Sequence, residues 1–390
     1  MSSPDAERPA DAPGAWRRVA LLLFATGWGA NHFASLLLVY RQRLALDATA
    51  PAILFGMYAL GLVPGLVLAG PLSDRFGRRA VVRPGACFAL GASAVLGGLG
   101  TSFAALLIGR LMYGVGAGAV MSAGAAWLVE LSRARPGAGP RRATIALSSG
   151  FGLGPLASGV LAQYAPAPTV LPFAVHAALL ATVLAIAWRV EDTGGGGSPG
   201  RLVRIALDRA GWRGFLRGVA PMAPLVFAFP TISFAALPNL LAGALRGAPL
   251  AYTGVLAALT LGAGVLVQPV TARFAPVTAA RLGLIAGAAG IALGALAVAA
   301  KQPVLLVVVA PILGAAYGIT MTAGLQTTQR LARPDARGGI TGLYYVLTYV
   351  GFAAPYLLAL AVRVTTPEVA LAVTAGVAIA AALVLTPPRA

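Results

Sequence analysis

Gly70-Pro-Leu-Ser-Asp-Arg-Phe-Gly-Arg-Arg-Ala80 is a short cationic stretch set between two long apolar runs, residues 52–69 and 81–99. Asp74 is its one acid, placed among Arg75, Arg78 and Arg79. Each flanking run approaches the ~20 residues that an α-helix needs to cross the hydrocarbon of a bilayer. The stretch therefore predicts a tight loop between two spanning helices, with Gly70 and Gly77 letting them meet closely at the membrane surface. Read as charge alone, it is a loop on the positive side of a membrane and nothing more.

The rest of the chain agrees with a membrane setting. Of 390 residues, 58% are hydrophobic and 10% charged, whereas a soluble domain carries roughly 25% charged residues. The net charge of +18 invites a nucleic-acid reading, but the placement of the arginines excludes it. They cluster around residues 17–18, 75–83, 133–142, 189–217, 273–281 and 330–337, in every second gap between apolar runs. The alternate gaps hold only Arg41, Arg43, Arg246, Lys301 and Arg363. That asymmetry is the positive-inside pattern and places both termini in the cytoplasm. The single cysteine, Cys87, excludes an internal disulfide and a cysteine-based metal cluster. Abundant Arg and Ala with almost no Lys is a composition of high-GC bacteria, hence a bacterial inner (cytoplasmic) membrane.

A window of about 20 apolar residues gives twelve spans, at roughly 18–40, 51–70, 81–100, 103–131, 142–163, 170–189, 215–239, 250–272, 279–299, 303–327, 339–362 and 368–386. Residues 1–17 read as a disordered cytoplasmic N-terminus. Residues 191–214, with the run Gly194–Gly197, read as a flexible cytoplasmic linker between bundles at 18–190 and 215–390. An internal repeat supports that division. An offset of 198 lays Pro71, Ser73, Arg75 and Phe76 on Pro269, Thr271, Arg273 and Phe274, and Ala134-Arg135-Pro136 on Ala332-Arg333-Pro334. Asp74 falls on Ala272 and Glu130 on Thr328, so neither acid of this face is duplicated.

The stretch 70–80 closely resembles, in register, the loop between the second and third helices of major facilitator superfamily transporters. Two further motifs carry the likeness. Gly109-Arg110 followed by Gly114, Gly116 and Gly118 resembles the family's Arg-xxx-Gly pattern in the fourth helix. Gly150, Gly152, Gly154, Pro155 and Gly159 resemble the fifth-helix motif of its drug–proton antiporters, with Ser158 where that pattern has Gly. The resemblance implies an all-α fold of two six-helix bundles related as parallel repeats. It also implies that Asp74 docks on the N-terminus of the eleventh helix, at Gly338 and Gly339, in the outward-facing state. That N-terminus offers free N–H groups to a carboxylate. Arg75 or Arg78 would pair with Glu130, completing a latch made of Gly70, Asp74, Arg75, Gly77, Arg78, Arg79, Glu130 and Gly338.

Arg110 is the only Arg well inside an apolar run, about eight residues or ~12 Å from the outer end of its helix. A cation at such depth is costly and faces the protein interior. Asn31 and His32 lie at similar depth on the first helix, a neighbour of the fourth by resemblance. The three are candidates for handling protons or substrate; the plainer alternative is packing. His176 reads as structural. Candidate cavity groups are Tyr58, Phe229, Phe234, Gln326, Tyr344, Tyr345 and Tyr349, although any one aromatic is more often packed than ligand-binding. No Asp or Glu lies mid-span.

These readings give a secondary transporter working by alternating access, a proton-coupled exporter of a hydrophobic or amphipathic small molecule such as a drug or secondary metabolite. The alternative is an uncoupled facilitator or an importer of a small metabolite. A membrane enzyme or receptor is remote, because no catalytic cluster or soluble domain is evident. The expected partners are a small-molecule substrate, protons and the lipid bilayer, with no nucleic acid, no cofactor and no metal, and the expected state is a monomer.

Overall fold

The computed structural model describes residues 14–47, 49–100, 102–135, 138–194, 207–271, 273–332 and 337–386. All regular structure among them is helical. The chain runs through α1 (Ala15–Arg43), α2 (Ala50–Phe76), α3 (Arg78–Gly98), α4 (Phe103–Glu130), α5 (Ala138–Tyr164) and α6 (Leu171–Ala187). It continues through α7 (Arg209–Leu240), α8 (Pro249–Thr271), α9 (Pro276–Ala299), α10 (Pro303–Leu331), α11 (Gly339–Ala361) and α12 (Pro367–Val384). Eleven of these are long and apolar enough to span a membrane, and α6, with 17 residues, is at the lower limit. The N-terminal expectation meets the structure at Ala15, where α1 already begins; residues 1–13 lie outside the described residues.

Proline placement sets several starts. Pro249, Pro276, Pro303 and Pro367 open α8, α9, α10 and α12, where a missing N–H costs nothing. Ser102 caps α4 by accepting from Ala105 N at 3.2 Å, and Asp208 caps α7 by accepting from Gly211 N at 2.7 Å.

Glycine lets the helices pack at backbone distance. A Cβ at Gly118 of α4 would come within 2.5 Å of Leu62 O on α2. In the second half, Cβ atoms at Gly314 and Gly318 of α10 would strike the backbone of Thr260 and Gly264 on α8. The same small-residue seam thus recurs in both bundles.

The stretch 70–80 differs from expectation in one respect. It is no loop: α2 continues through Gly70 and Pro71 to Phe76, and only Gly77 (φ 99°, ψ 153°) separates it from α3. A positive φ favours glycine, and a Cβ there would also collide with the carboxylate of Asp192.

The first helix of each half is irregular near mid-depth. Helix α1 tightens to a 3₁₀ segment over His32–Leu36, and α7 widens to a π segment over Ile232–Ala236. The repeat offset of 198 brings 32–36 within two residues of 232–236. Helix α11 carries a 3₁₀ turn at Val350–Ala353. Large apolar side chains such as Leu60, Leu296, Val373 and Leu383 are exposed around the outside, the surface a bilayer would cover.

A candidate transport cavity and its latch

A cavity of about 1160 Å³ lies between the two halves. It runs from Asn31, Tyr58 and Phe234 near mid-depth to Asp74, Arg330, Gly339 and Thr341 at the arginine-rich face. Of the expected lining groups, Asn31, Tyr58, Phe234, Gln326, Tyr345 and Tyr349 contribute. Two do not. Phe229 is fully buried against Gly287 of α9, and Tyr344 is fully buried over Gly324, donating to Met321 O at 3.1 Å. The helical turn explains both: residues two apart on α7 or one apart on α11 point in different directions.

Sequence reasoning missed the strongest feature of the wall. Phe227, Tyr349 and Phe352 stack, with centroids 4.8, 5.1 and 5.6 Å apart and interplanar angles of 14°, 19° and 8°. Phe227 lies in the regular part of α7, before its π segment, whereas Phe352 lies in the 3₁₀ turn of α11 and Tyr349 directly precedes it.

The opposite face is shut. Arg41 donates to Asn239 Oδ1 at 3.0 Å, and Arg363 pairs with Asp47 at 3.2 Å, both across the halves. Rings of Phe55 and Phe352 stack at 6.2 Å above the cavity. Helices α5 and α8 touch backbone to backbone: a Cβ at Gly159 would be 2.6 Å from Leu250 O, and one at Gly254 would be 2.6 Å from Pro155 O. Gly150 and Gly154 lie as closely on Phe24 and Trp28 of α1. The fifth-helix glycines therefore pack α5 between α1 and α8. Ser158, the departure from the family pattern, donates to His32 O at 2.7 Å, beside the point where α1 becomes 3₁₀.

At the arginine-rich face, Arg78 is the hub. It pairs with Asp74 at 2.6 Å and with Glu130 at 2.7 Å, and its Nη1 donates to Ser73 Oγ at 2.5 Å. Arg75 lies over Phe76 instead, and Arg79 donates to the carbonyl of Val190. Asp74 is 62% exposed and makes its contact with Arg78 rather than with Gly339 or Thr341, which line the same cavity. The surroundings of Gly338 lie outside the described residues.

Beside this hub, the N-terminus of α3 holds a carboxylate from the stretch after α6. Asp192 accepts from the backbone N–H groups of Arg78 (2.8 Å) and Arg79 (3.1 Å). Thr193 donates to Glu130, and Trp127 Nε1 to Glu191 O. The beginning of the expected linker is thus tied to the first bundle, while the part with Gly195–Gly197 lies outside the described residues. An acid directly after a span and facing a basic helix start was the available signal.

The sequence profile of the Major Facilitator Superfamily matches residues 19–356. This chain belongs to that superfamily. The transporter is 35% identical over 80 residues to the 3-(3-hydroxy-phenyl)propionate transporter of Escherichia coli (strain K12), a match spanning about a fifth of each chain. Solved structures share its fold along nearly the whole length. The nucleoside transporter NupG aligns with TM-score 0.75 at 13% identity, covering 95% of this chain and 98% of that one. A POT family transporter in complex with 5-aminolevulinic acid aligns with TM-score 0.78 at 11% identity, covering 94% of each.

Arg110 of the transporter is 1% exposed and faces the first bundle's interior, as its depth requires. It contacts carbonyls rather than His32: Nε donates to Leu54 O at 3.3 Å and Nη1 to Ala30 O at 3.4 Å, while Nη2 has no partner. The rings of Tyr58 (4.4 Å) and Phe33 (4.7 Å) flank the guanidinium. Tyr58 therefore stands between Arg110 and the cavity. His32 is also buried, both ring nitrogens unpartnered, packed edge-on against His176 at 5.0 Å and Phe173 at 4.7 Å. His176 is satisfied by Ser93 at 2.9 Å and Ala25 O at 3.1 Å. Of the three mid-depth candidates, only Asn31 reaches the cavity.

Proposed function

We propose that this superfamily member exports a hydrophobic or amphipathic small molecule bearing a planar ring, by alternating access and with proton coupling. The observation that carries the reading is the stacked wall of Phe227, Tyr349 and Phe352, facing a cavity with amide groups of Asn31 and Gln326. Such a wall takes planar apolar groups, while a few amides orient them. Asp74, at the mouth, is the only carboxylate among the described lining residues. The coupling proton is assigned to the buried His32, whose ring nitrogens are unpartnered, and the latch to Asp74, Arg78 and Glu130 acting against the start of α11.

The positive-inside pattern supports an orientation with both termini and the arginine-rich face in the cytoplasm of a bacterial inner membrane. In that orientation the cavity opens inward, where an exporter collects its cargo. The protein works as a monomer of two bundles, taken as 18–190 and 215–390 with a linker 191–214 between them, except that α7 already begins at Arg209.

A second reading is uptake of an aryl carboxylate. The 80-residue likeness to the hydroxyphenylpropionate transporter favours it, as does the partnerless Nη2 of Arg110 behind Tyr58. Inverted and right-side-out vesicles separate the two. A panel of planar hydrophobic compounds together with 3-(3-hydroxyphenyl)propionate is followed with and without an imposed pH gradient. Gradient-dependent accumulation of a planar compound in inverted vesicles is the expected result. Transport that ignores the gradient would leave a facilitator, and uptake of the propionate into right-side-out vesicles would favour the second reading.

A further inference from the structure

A second groove, of about 500 Å³, lies on the outer side of the first bundle between α3 and α6. It is lined by Arg79, Arg83, Pro84, Cys87, Trp188 and Asp192. Neither helix contributes to the transport cavity, so the groove is separate from the substrate route. We propose that it binds the phosphate of an anionic phospholipid from the leaflet on the arginine-rich side.

Position comes first. Arg79 is the second residue of α3, Arg83 lies about one turn or ~6 Å further in, and Trp188 directly follows the end of α6. This is headgroup depth, where tryptophan and arginine are favoured. Trp188 is 44% exposed and the neighbouring Phe88 42% exposed, so the groove faces the lipid side. Pro84 and Cys87 continue it as an apolar floor towards the hydrocarbon.

The donors come second. Arg83 stacks over the Trp188 ring at 4.6 Å and donates from Nη2 to the Trp188 carbonyl, which fixes the plane of its guanidinium. Its Nε is buried and has no partner. A buried unpaired donor on a cation costs more than a typical hydrogen bond returns, and a phosphate oxygen would satisfy it in the fork geometry that arginine prefers. Arg79 is held by the carbonyls of Val190 (2.5 Å) and Arg189 (3.4 Å), so its charge also stays at the groove.

Charge comes third. The acid in the groove, Asp192, already has both oxygens on the N–H groups of Arg78 and Arg79. With Arg189 exposed beside it, the local balance stays positive. Basic recesses between helices at the surface of a membrane protein suit anionic headgroups, whereas a zwitterionic lipid offers no net charge.

The test uses the full-length protein stripped of lipid in detergent. Native mass spectrometry then counts lipids retained from equal mixtures of phosphatidylglycerol and phosphatidylcholine, with inorganic phosphate as a competitor. One phosphatidylglycerol should be retained about tenfold over phosphatidylcholine, unmoved by millimolar phosphate. Arg83→Gln should reduce that preference about fivefold or more, while Arg217→Gln, a charge change elsewhere on the same face, should keep it. Should Arg83→Gln not fold, Cys87→Trp fills the groove without removing charge and should abolish the preference. Equal retention of both lipids, or full preference in Arg83→Gln or Cys87→Trp, overturns the proposal. Displacement of the lipid by inorganic phosphate would make this a free-anion site and would also overturn it.

Discussion

Arg78 grips Glu130 of the neighbouring helix with two nitrogens, Nε 3.2 Å from Oε2 and Nη2 2.7 Å from Oε1, while Nη1 reaches Asp74. The side chains are 8% and 14% exposed, so this is a semi-buried, bidentate pair rather than a solvated one. Removing one partner of a fully buried pair costs ~3–5 kcal/mol. Asp74 remains to share the charge here, so Glu130→Gln should cost about 2 kcal/mol. Thermal unfolding in detergent reads this directly. An unchanged midpoint would mean that the pair contributes nothing to the fold.

Asp74 should behave in the opposite way. It is 62% exposed and pairs with Arg78 one turn away, a geometry worth only a few tenths of a kcal/mol. Asp74→Asn should therefore leave the melting midpoint within about a degree. Its proposed task lies in the other conformation, where a carboxylate at a helix N-terminus is worth ~1 kcal/mol. Turnover in vesicles should then fall about three- to tenfold. Wild-type turnover in a well-folded Asp74→Asn protein would remove the latch.

The outline of this protein was legible because hydrocarbon leaves few options: twelve apolar runs, alternating arginine clusters and a repeat at one offset already describe two parallel bundles. Charged positions were legible too, since Arg78 at a helix end does pair with Glu130 and Arg110 within its span does turn inward. Side-chain direction was less so. Phe229 and Tyr344 have the right composition for a cavity wall, but their neighbours Gly287 and Gly324 leave each a slot in the helix packing. Tyr349 and Phe352 share a face because α11 tightens to a 3₁₀ turn at 350–353, where side chains three apart eclipse. No residue pattern read along the chain marked a π segment. Asp192 was hidden in a stretch read as linker, where nothing in composition separates an anchored residue from a free one.

Phe227 and Phe229 are two residues apart on α7 and should fail differently. Phe227 lies in the cavity wall against Tyr349 and Phe352. Phe227→Ala should weaken substrate binding about two- to tenfold, the ~0.5–1.5 kcal/mol of an aromatic pair, with a smaller loss of stability. Phe229 fills the notch at Gly287 and is fully buried. Phe229→Ala should destabilise by about 3–5 kcal/mol and leave the affinity of the protein that still folds near wild type. Thermal unfolding and ligand binding measured on both variants check this. The reverse assignment would place Phe229, not Phe227, at the ligand.

Asp47 and Arg363 close the face opposite the cavity mouth, and their pH response can be worked out. Hydrogen bonds from the Thr49 hydroxyl, then from the N–H groups of Thr49 and Ala50, with Arg363 nearby, hold the Asp47 carboxyl below its usual 3.8. A depressed carboxyl contributes fully above its ordinary value, and the contribution fades as pH falls through the lowered one. Between about pH 5 and 8 the clasp therefore stays charged and does not titrate. Asp47→Asn should shift occupancy towards the state open at that face by a few-fold at most, because an exposed ion pair contributes little. The pH profile of transport across that range should keep its shape, scaled but not moved. Rates measured in vesicles at several pH values decide it: a displaced profile would mean that Asp47 itself exchanges the proton, and His32 would lose that role.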